Sequence, residues 1–271
     1  DVQRMLNPNE LSPIQITYEH DNFMLPIRLG MANSKGEQAL VVYGFTPEGR
    51  IECTNYRTVE MPTGNDIPPF VEPNFGGFYK KVFDKEYQDN GRNAVFLEYA
   101  WNVTPQNRVK CDPCIGPPPI FVDFQKAGVD WVAGNNSSSY VHFTRLHVRY
   151  SRDKFPQDLS FQVTPNRKNY QARYVMTHPA TGEMSCDEGQ KYILDLGVRQ
   201  RLEKKELAHL TGWDMKKHPR FADFIRDTEH AKRMDTSPYN SGSLWSIPLI
   251  AFMIAIGART LLKMRRKETS S

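Results

Sequence analysis

The feature that most limits how this chain folds is a long apolar run near its C-terminus. Residues 244–258 carry no charged side chain, and after Arg259 three further uncharged residues extend the run to residue 262. Crossing the hydrocarbon core of a bilayer takes roughly 20 apolar residues in a helix. The sequence therefore predicts one transmembrane helix over 244–262, and a buried helix of a soluble domain is the alternative.

The residues that flank this run favour a membrane span. Trp245 lies at one end, where tryptophans meet the membrane interface. Pro248 falls in the first turns, where lost backbone hydrogen bonds are tolerated. Arg259 is close enough to the other end to extend its guanidinium to the headgroups. Four basic residues close that end, namely Lys263, Arg265, Arg266 and Lys267. The positive-inside rule then predicts a cytoplasmic C-terminus and an extracytoplasmic bulk.

The distribution of charge argues against nucleic acid as a partner. The formal net charge is +4, and it resides in the segment after residue 258. The remainder has equal numbers of acidic and basic residues, so it offers no basic surface of the kind that binds nucleic acids. Hydrophobic residues at 39% and charged residues at 24% also exclude wholesale disorder and a polytopic membrane protein.

Short runs rich in β-branched and aromatic residues, bounded by Gly, Pro, Asn or Asp, predict strands in the first 180 residues. These runs cover 14–18, 23–29, 40–45, 50–59, 94–101, 140–150 and 171–177. Pro26 lies inside one of them, which predicts an edge strand or a bulge. The sequence Thr-Pro-Glu-Gly at 46–49 is typical of a turn and predicts a hairpin between the strands on either side.

Helical periodicity is found in three segments. Residues 74–87 place apolar side chains at helical spacing. Residues 187–210 have acids early and bases late, with Gly212 as a C-terminal cap, and residues 221–234 form a second candidate after it. The predicted buried stripe of the 187–210 helix consists of Ile193, Leu194, Val198, Leu202 and Leu210.

The sequence therefore predicts the α+β class. A β-rich extracytoplasmic domain covers 1–183, a helical tail 184–234 and a linker 235–243, followed by the transmembrane helix 244–262 and a cytoplasmic tail 263–271. The helical tail is expected either to fold back on the β-rich domain or to present one face to a neighbouring membrane protein or to anionic lipid headgroups.

Several segments, taken together and in order, resemble a bacterial family known as domain of unknown function 2330. They lie at 11–33, 55–62, 96–101, 111–114, 144–150, 173–182 and 207–214. The resemblance implies a secreted protein anchored in the bacterial inner (cytoplasmic) membrane, with no assigned activity. Members of the family carry a substantial region before the first of these segments. We therefore expect this chain to be the C-terminal part of a longer precursor that has a signal peptide, and its missing N-terminal part to be a partner.

The chain has four cysteines, which are Cys53, Cys111, Cys114 and Cys186. Cysteines outside the cytoplasm usually pair, so disulfides among these four are predicted, and the sequence does not choose the pairing. The spacing of Cys111 and Cys114 also fits a redox dithiol, although prolines at 117–119 prevent a helix from starting directly after it. A zinc site that combines all four thiols is the other alternative.

Two histidines and two arginines share one predicted strand. His142 and His147 are five residues apart and should face opposite sides of the sheet, whereas Arg145, His147 and Arg149 should share one side. That side could hold an anion or a lipid headgroup. The alternative is an ordinary sheet face whose basic groups pair with nearby acids.

No catalytic motif is recognisable in the chain, and neither a cofactor nor a resident metal is expected. These observations predict a non-enzymatic, membrane-anchored interaction protein, an accessory or scaffold subunit of a larger membrane complex. Its partners would be the lipid bilayer and the other subunits. One alternative is a thiol-disulfide or metal-binding protein that uses Cys111 and Cys114. Another is ligand or polysaccharide binding through exposed Tyr and Trp, but the sequence contains no aromatic stripe that would support it.

Overall fold

A computed structural model describes residues 22–32, 34, 36–104, 119–132 and 140–217 of the chain. The fold is mixed α+β, as predicted. The strands are β1 (Asn22–Leu25), β2 (Gln38–Thr46), β3 (Ile51–Cys53), β4 (Arg57–Glu60), β5 (Asn65–Asp66), β6 (Ala94–Asn102), β7 (His142–Tyr150), β8 (Leu159–Val163), β9 (Tyr170–Gln171) and β10 (Tyr174–Val175). The helices are α1 (Ile27–Gly30), α2 (Phe75–Asp89), α3 (Phe121–Lys126) and α4 (Asp187–Thr211), with a 3₁₀ helix at Pro69–Asn74.

The largest sheet, called here the main sheet, has five strands. Its order is β2-β7-β6-β4, with β9 pairing the C-terminal half of β6. Strands β2, β7 and β6 have nine residues each, and β7 runs antiparallel to both β2 and β6, whereas β4 runs parallel to β6. Alternate residues of β7 are buried, as expected for a strand whose two faces have different surroundings.

A three-stranded sheet, ordered β1-β8-β3, lies against the inner face of the main sheet. The shared core contains Leu97 and Leu146 from the main sheet and Ile51 and Phe161 from the smaller one. Strand β1 is at the edge of the smaller sheet, as Pro26 predicts, and Pro26 ends the strand and precedes α1. Because a proline lacks the backbone N–H that would continue the ladder, the strand stops there.

The predicted hairpin around residues 46–49 is wrong. The turn itself forms, and the Thr46 hydroxyl donates a hydrogen bond to the Gly49 carbonyl. However, β2 pairs with β7 in the main sheet while β3 pairs with β8 in the smaller one. The chain therefore passes from one sheet to the other, and the Ile51 side chain of β3 packs against Gly44 of β2, where an added Cβ would lie 2.0 Å from it.

Helix α2 confirms the helix predicted at residues 74–87. Its buried side chains are Phe78, Val82, Phe83 and Tyr87, which follow the pattern i, i+4, i+5, i+9 and therefore share one face. The Phe83 ring meets Phe96 of β6 edge-on, with the ring centroids 5.2 Å apart. The helix therefore covers part of the outer face of the main sheet.

Helix α4 confirms the long helix, and Gly212 caps it with a φ of 69° in the left-handed region. The predicted buried stripe is wrong for Leu194, Val198 and Leu202, whereas Leu210 is buried and Ile193 is half-buried. The structure buries Gln200, Glu203, Leu207 and Leu210, whereas Leu194, Val198 and Leu202 are exposed. The helix presents a partly polar side to α2 and β5, and two contacts compensate the acids on that side. Arg199 lies 3.2 Å from Glu203, and the Asn65 amide donates to Glu206 over 2.7 Å.

The chain forms a compact unit that ends at Trp213 and a second unit from Asp214 onward, of which the structure describes only 214–217. Within the described ranges, no helix has both the length and the apolar character that a membrane crossing requires. The predicted span 244–262, the linker 235–243, the tail 263–271, the helix 221–234 and the strand 14–18 all lie outside the described residues.

Candidate functional site: the outer face of the main sheet

A β-bulge in β6 determines which side chains reach the outer face of the main sheet. Leu97 pairs with Leu146 and Tyr99 with Arg145, so Glu98 is an extra residue without a partner on β7. Such an insertion shifts the alternation of side chains by one residue. As a result Tyr99 and Trp101 emerge on the outer face, while Val95 and Leu97 remain in the core.

The bulged Glu98 carboxylate gathers three polar side chains although it is only 5% exposed. The Tyr79 hydroxyl of α2 donates to Oε1 over 2.7 Å, and His147 Nδ1 lies 2.9 Å from the same oxygen. Arg145 Nε forms an ion pair with Oε2 at 2.9 Å. A buried carboxylate is tolerated when it is compensated in this way.

The electrostatics of this cluster keep Glu98 ionised. Burial raises the pKa of Glu98, but the hydrogen bonds from His147 and Tyr79 and the positive charge of Arg145 outweigh it and bring the pKa below its ordinary value. Burial and the adjacent Glu98 charge raise the pKa of Tyr79, so its hydroxyl stays protonated and donates. The carboxylate thus holds Arg145 and His147 in fixed positions.

Helix α2 covers the half of the outer face that contains the basic side chains of β7. The Phe83 ring stacks on His147 at 4.0 Å, and the Arg149 guanidinium lies 4.9 Å from the centre of the same ring. Arg149 also pairs with Asp84 at 2.8 Å. Arg145, His147 and Arg149 share one side as predicted, and His142 is on the opposite, buried face. Of the two alternatives for that side, the structure shows the one in which the basic groups pair with acids.

The other half of the outer face is aromatic and is not covered by α2. Strands β2, β7 and β6 bring their rings together in register, since Tyr43 pairs with Arg145 and Trp101 with Phe143. The Tyr43 and Phe143 ring centroids are 6.0 Å apart and the rings nearly parallel, Tyr99 and Trp101 are 5.9 Å apart, and Tyr99 is 5.6 Å from Phe143. We call Tyr43, Tyr99, Trp101, Phe143 and Arg145 the aromatic face.

Arg145 links the aromatic face to the buried cluster. Its guanidinium lies 5.7 Å from the centre of the Tyr43 ring while its Nε stays close to Glu98. The Arg145 side chain is 43% exposed and Tyr43 is 57% exposed. At the far end, Phe124 of α3 meets Phe45 edge-on at 6.1 Å and closes that border. The aromatic face is therefore a bounded surface with one oriented cation.

Chemically, the aromatic face is suited to binding. Tyr, Trp and Arg are the residues that dominate the energetics of protein–protein contacts, because they offer a large apolar area together with a polar group. Glu98 is too deeply buried to act on a bound molecule directly. Within the described part of the chain, no group of three or more His, Cys, Asp or Glu side chains is arranged to hold a metal ion.

The structure separates the sequence-predicted site residues. Cys53 is buried in β3 and donates from its thiol to Asn55, whereas the exposed Cys186 accepts from the Gly189 amide as the N-cap of α4. Both are free thiols, which corrects the prediction that they form disulfides, because each is held by a different element and by its own local hydrogen bond. Cys111 and Cys114 lie outside the described residues, as do the anchor residues Trp245, Pro248, Arg259, Lys263, Arg265, Arg266 and Lys267.

The aromatic face itself was missed by sequence reasoning. Its residues lie on three strands far apart in the chain, and a strict alternation would have placed Tyr99 and Trp101 in the core. One signal could have indicated the bulge. Glu98 is a lone acid in the otherwise apolar run Phe-Leu-Glu-Tyr-Ala-Trp, and a buried strand accepts a carboxylate only where partners compensate it.

The molecule is thus a mixed α+β protein with a bounded aromatic surface on one sheet. The chain belongs to DUF2330, a family described as an uncharacterized protein conserved in bacteria, whose model matches residues 2–162. The matched range includes Glu98 and all of the aromatic face, whereas α4 lies beyond it. No curated protein and no solved structure matches the chain.

Proposed function

We propose that this protein is a membrane-anchored, extracytoplasmic interaction protein, an accessory or scaffold subunit of a larger membrane complex, with the aromatic face as its contact surface for another subunit. The observation that carries the proposal is the clustering of Tyr43, Tyr99, Trp101 and Phe143 around Arg145 on the half of the main sheet that α2 does not cover. Among the described residues, Tyr43 is exposed and the other three rings are partly buried. Monomeric soluble proteins rarely leave such aromatic groups together at the surface without a partner.

The arrangement resembles the energetic centre of a protein interface. Large rings contribute area at little cost in side-chain entropy. Arg145 is already oriented by Glu98, so fixing it in a complex costs less than fixing a free arginine. Tyr43 is on β2, the edge strand of the main sheet, which leaves its ring accessible from the side as well as from above.

The proposed location is supported by the sequence. The apolar run 244–262, with Trp245 at one end and the basic cluster at 263–267 at the other, fits a single anchor whose C-terminus is cytoplasmic. Protease added to spheroplasts should digest the bulk of the chain and leave a C-terminal epitope protected. Replacing Ile250 and Ile254 with Asp should release the chain from the membrane, at about 2.5–3.5 kcal/mol for each central charge.

Co-purification after gentle detergent extraction tests the contact surface. The full chain should retain a defined set of membrane subunits, and Tyr43→Ala should weaken this retention by roughly 30-fold, the effect of losing about 2 kcal/mol at the centre of an interface. Leu29→Ala is the matched control, because Leu29 is 75% exposed and lies on α1, outside the aromatic face. Equal retention by the two variants would contradict the assignment of this surface.

A further inference from the structure

Helix α4 has a row of aliphatic side chains that its own compact unit does not use. Leu194, Val198 and Leu202 are 68%, 47% and 62% exposed. Residues four apart lie nearly one above the other on a helix, so these three form a single row. With 100° between successive residues, the row is opposite Gln200 and Leu207, which are buried.

The C-terminal half of this row is bordered by basic groups. Arg201 and Lys205 are exposed and, at 100° per residue, lie on the same side of Leu202. Lys204 is close to them, since burial and then the charge of Arg201 lower its pKa. Positive charge is therefore concentrated at the end of α4 from which the chain continues toward the proposed anchor.

The acidic residues of the same half offset that charge only in part, because Glu203 is buried and the Glu206 side chain is 35% exposed. Glu203 is 2% exposed and pairs with Arg199 on the packed side of the helix. Glu206 accepts a hydrogen bond from Asn65 of β5. The exposed acids of α4, Asp187, Glu188 and Asp195, all lie in its N-terminal half.

An aliphatic row bordered by Lys and Arg is typical of a helix that lies at the surface of an anionic bilayer. Aliphatic side chains enter the boundary between headgroups and acyl chains, and the cations meet the phosphates. We infer that the C-terminal half of α4, around Val198, Leu202 and Lys205, docks on anionic phospholipid headgroups of the membrane that holds the proposed anchor. The inference rests on the proposed function, because the anchor keeps α4 close to the bilayer.

The same charges disfavour a second copy of the chain as the occupant. Two α4 helices packed through this row would bring Arg201 and Lys205 of both copies to one contact, and the acids of that half, Glu203 and Glu206, are already engaged by Arg199 and Asn65. Like charges at an interface cost several kcal/mol. An anionic lipid surface supplies the opposite charge at the right place.

The test uses the full chain reconstituted in nanodiscs of phosphatidylcholine, with and without phosphatidylglycerol. Acylation of lysines by an N-hydroxysuccinimide ester, measured by mass spectrometry, reports contact. Lys205 should be protected in the anionic discs only, and high salt should remove the protection. Exposed Lys168 is the internal control. Arg201→Gln should lower the docked-to-free ratio about fivefold, the equivalent of about 1 kcal/mol for one basic residue near such a surface.

A second variant tests the aliphatic row. Val198→Ser combined with Leu202→Ser should abolish the protection of Lys205, whereas Val122→Ser should not, because Val122 is as exposed as Val198 but lies on α3. Equal labelling of Lys205 in both kinds of disc would overturn the inference. So would protection that depends on protein concentration, which would indicate a second copy.

The experiment distinguishes an error in the proposed anchor from an error in the proposed docking of α4. A chain that does not incorporate into discs contradicts the proposed anchor. In that case, sedimentation with added phosphatidylglycerol vesicles, compared with phosphatidylcholine vesicles, measures the α4 surface by itself. Wild-type binding that Arg201→Gln weakens supports the inference, and equal binding by the two proteins overturns it.

Discussion

The two halves of the outer face of the main sheet are built on the same strands but carry opposite kinds of side chain. The half under α2 carries charged groups, in which His147 pairs with Glu98 and Arg149 pairs with Asp84. On the open half lie aromatic rings, with Tyr43 57% exposed. An ordinary soluble domain shows the reverse arrangement, with apolar groups covered and charged groups facing water.

This inversion indicates what each half is for. The covered charges are almost fully paired, so they fix the position of α2 and of Arg145 and leave little for a ligand to bind. The open rings gain nothing from water and retain area that a partner could bury. Arg145 lies on the border and belongs to both halves, since it contacts Glu98 on one side and Tyr43 on the other.

Removing the central carboxylate should have the largest effect on stability. Glu98→Ala leaves Arg145 and His147 without their acid and Tyr79 without its acceptor, and we expect a loss of about 3–5 kcal/mol in the free energy of unfolding. Denaturant unfolding of the full chain in detergent measures this. The control is Glu72→Ala, which removes an exposed contact with His178 and should cost about 0–1 kcal/mol. A similar small loss for both would contradict the structural role of the covered half.

The inner face of the main sheet should make the stability of the fold depend on pH, because it buries His142 of β7. His142 is 0% exposed on the inner face, where burial, with the charges of Arg50 and Arg167, lowers its pKa from 6.5 to about 4. Between these values the unfolded chain binds a proton that the folded chain does not. Stability should therefore be full above pH 6.5 and fall by about 3 kcal/mol as the pH drops to 4.

His142→Gln provides the check on that pH dependence, because glutamine does not titrate. Unfolding free energies measured between pH 6.5 and 4 should become nearly flat in the variant, apart from the carboxylates that begin to titrate at the lower limit. Glu98 makes the folded chain sensitive to still lower pH. Because the pKa of Glu98 is lowered in the folded chain, the stability that its charged form contributes is lost as the pH falls through this lowered pKa. If the free energy of unfolding of the variant changes with pH as steeply as that of the wild type, the burial of His142 does not control stability between pH 6.5 and 4.

Stability and binding should separate on the open half. Tyr43→Ala is expected to change the unfolding free energy by less than about 1 kcal/mol, because the ring is exposed on an edge strand. Phe83→Ala, under the covering helix, should lose about 3–5 kcal/mol. At a temperature where the Phe83 variant remains folded, Tyr43→Ala should lower partner retention more than Phe83→Ala does. Parallel losses in the two assays would break the distinction between the halves.

A smaller effect is expected at the margin of the covered half. Arg149 and Asp84 are each about a quarter exposed and 2.8 Å apart, so Asp84→Asn should cost about 1 kcal/mol in unfolding free energy. The more exposed helical pair of Lys85 and Asp89 is the comparison, and Lys85→Gln should cost about 0.3–0.5 kcal/mol. If the second variant is the more costly one, burial does not set the strength of these pairs.

The elements of the fold were largely predictable because local periodicity carries them. The runs rich in β-branched and aromatic residues at 40–45, 94–101 and 140–150 and the helical spacing in 74–87 all correspond to observed elements. The shared side of Arg145, His147 and Arg149 was predictable for the same reason, since it follows from the two-residue period of a single strand.

The sequence-based predictions were wrong where contacts between residues distant in the chain determine the structure. The hairpin at 46–49 failed because β3 pairs with β8, a partner about a hundred residues away that local turn chemistry does not specify. The stripe of α4 failed because Asn65 and Arg199 satisfy the acids on its packed side. The aromatic face depends on a one-residue bulge at Glu98, and a single extra residue reverses the side of every residue after it.

The central claim is that the aromatic face contacts another subunit. A photo-crosslinking amino acid placed at Tyr43 of the full chain, in membranes of cells that make it, tests this most directly. The same amino acid at exposed Leu29 is the control. We predict a discrete protein adduct from position 43 that disappears when Trp101→Ala is added, and no such adduct from position 29. The absence of an adduct at position 43, or an identical adduct from both positions, would contradict the account.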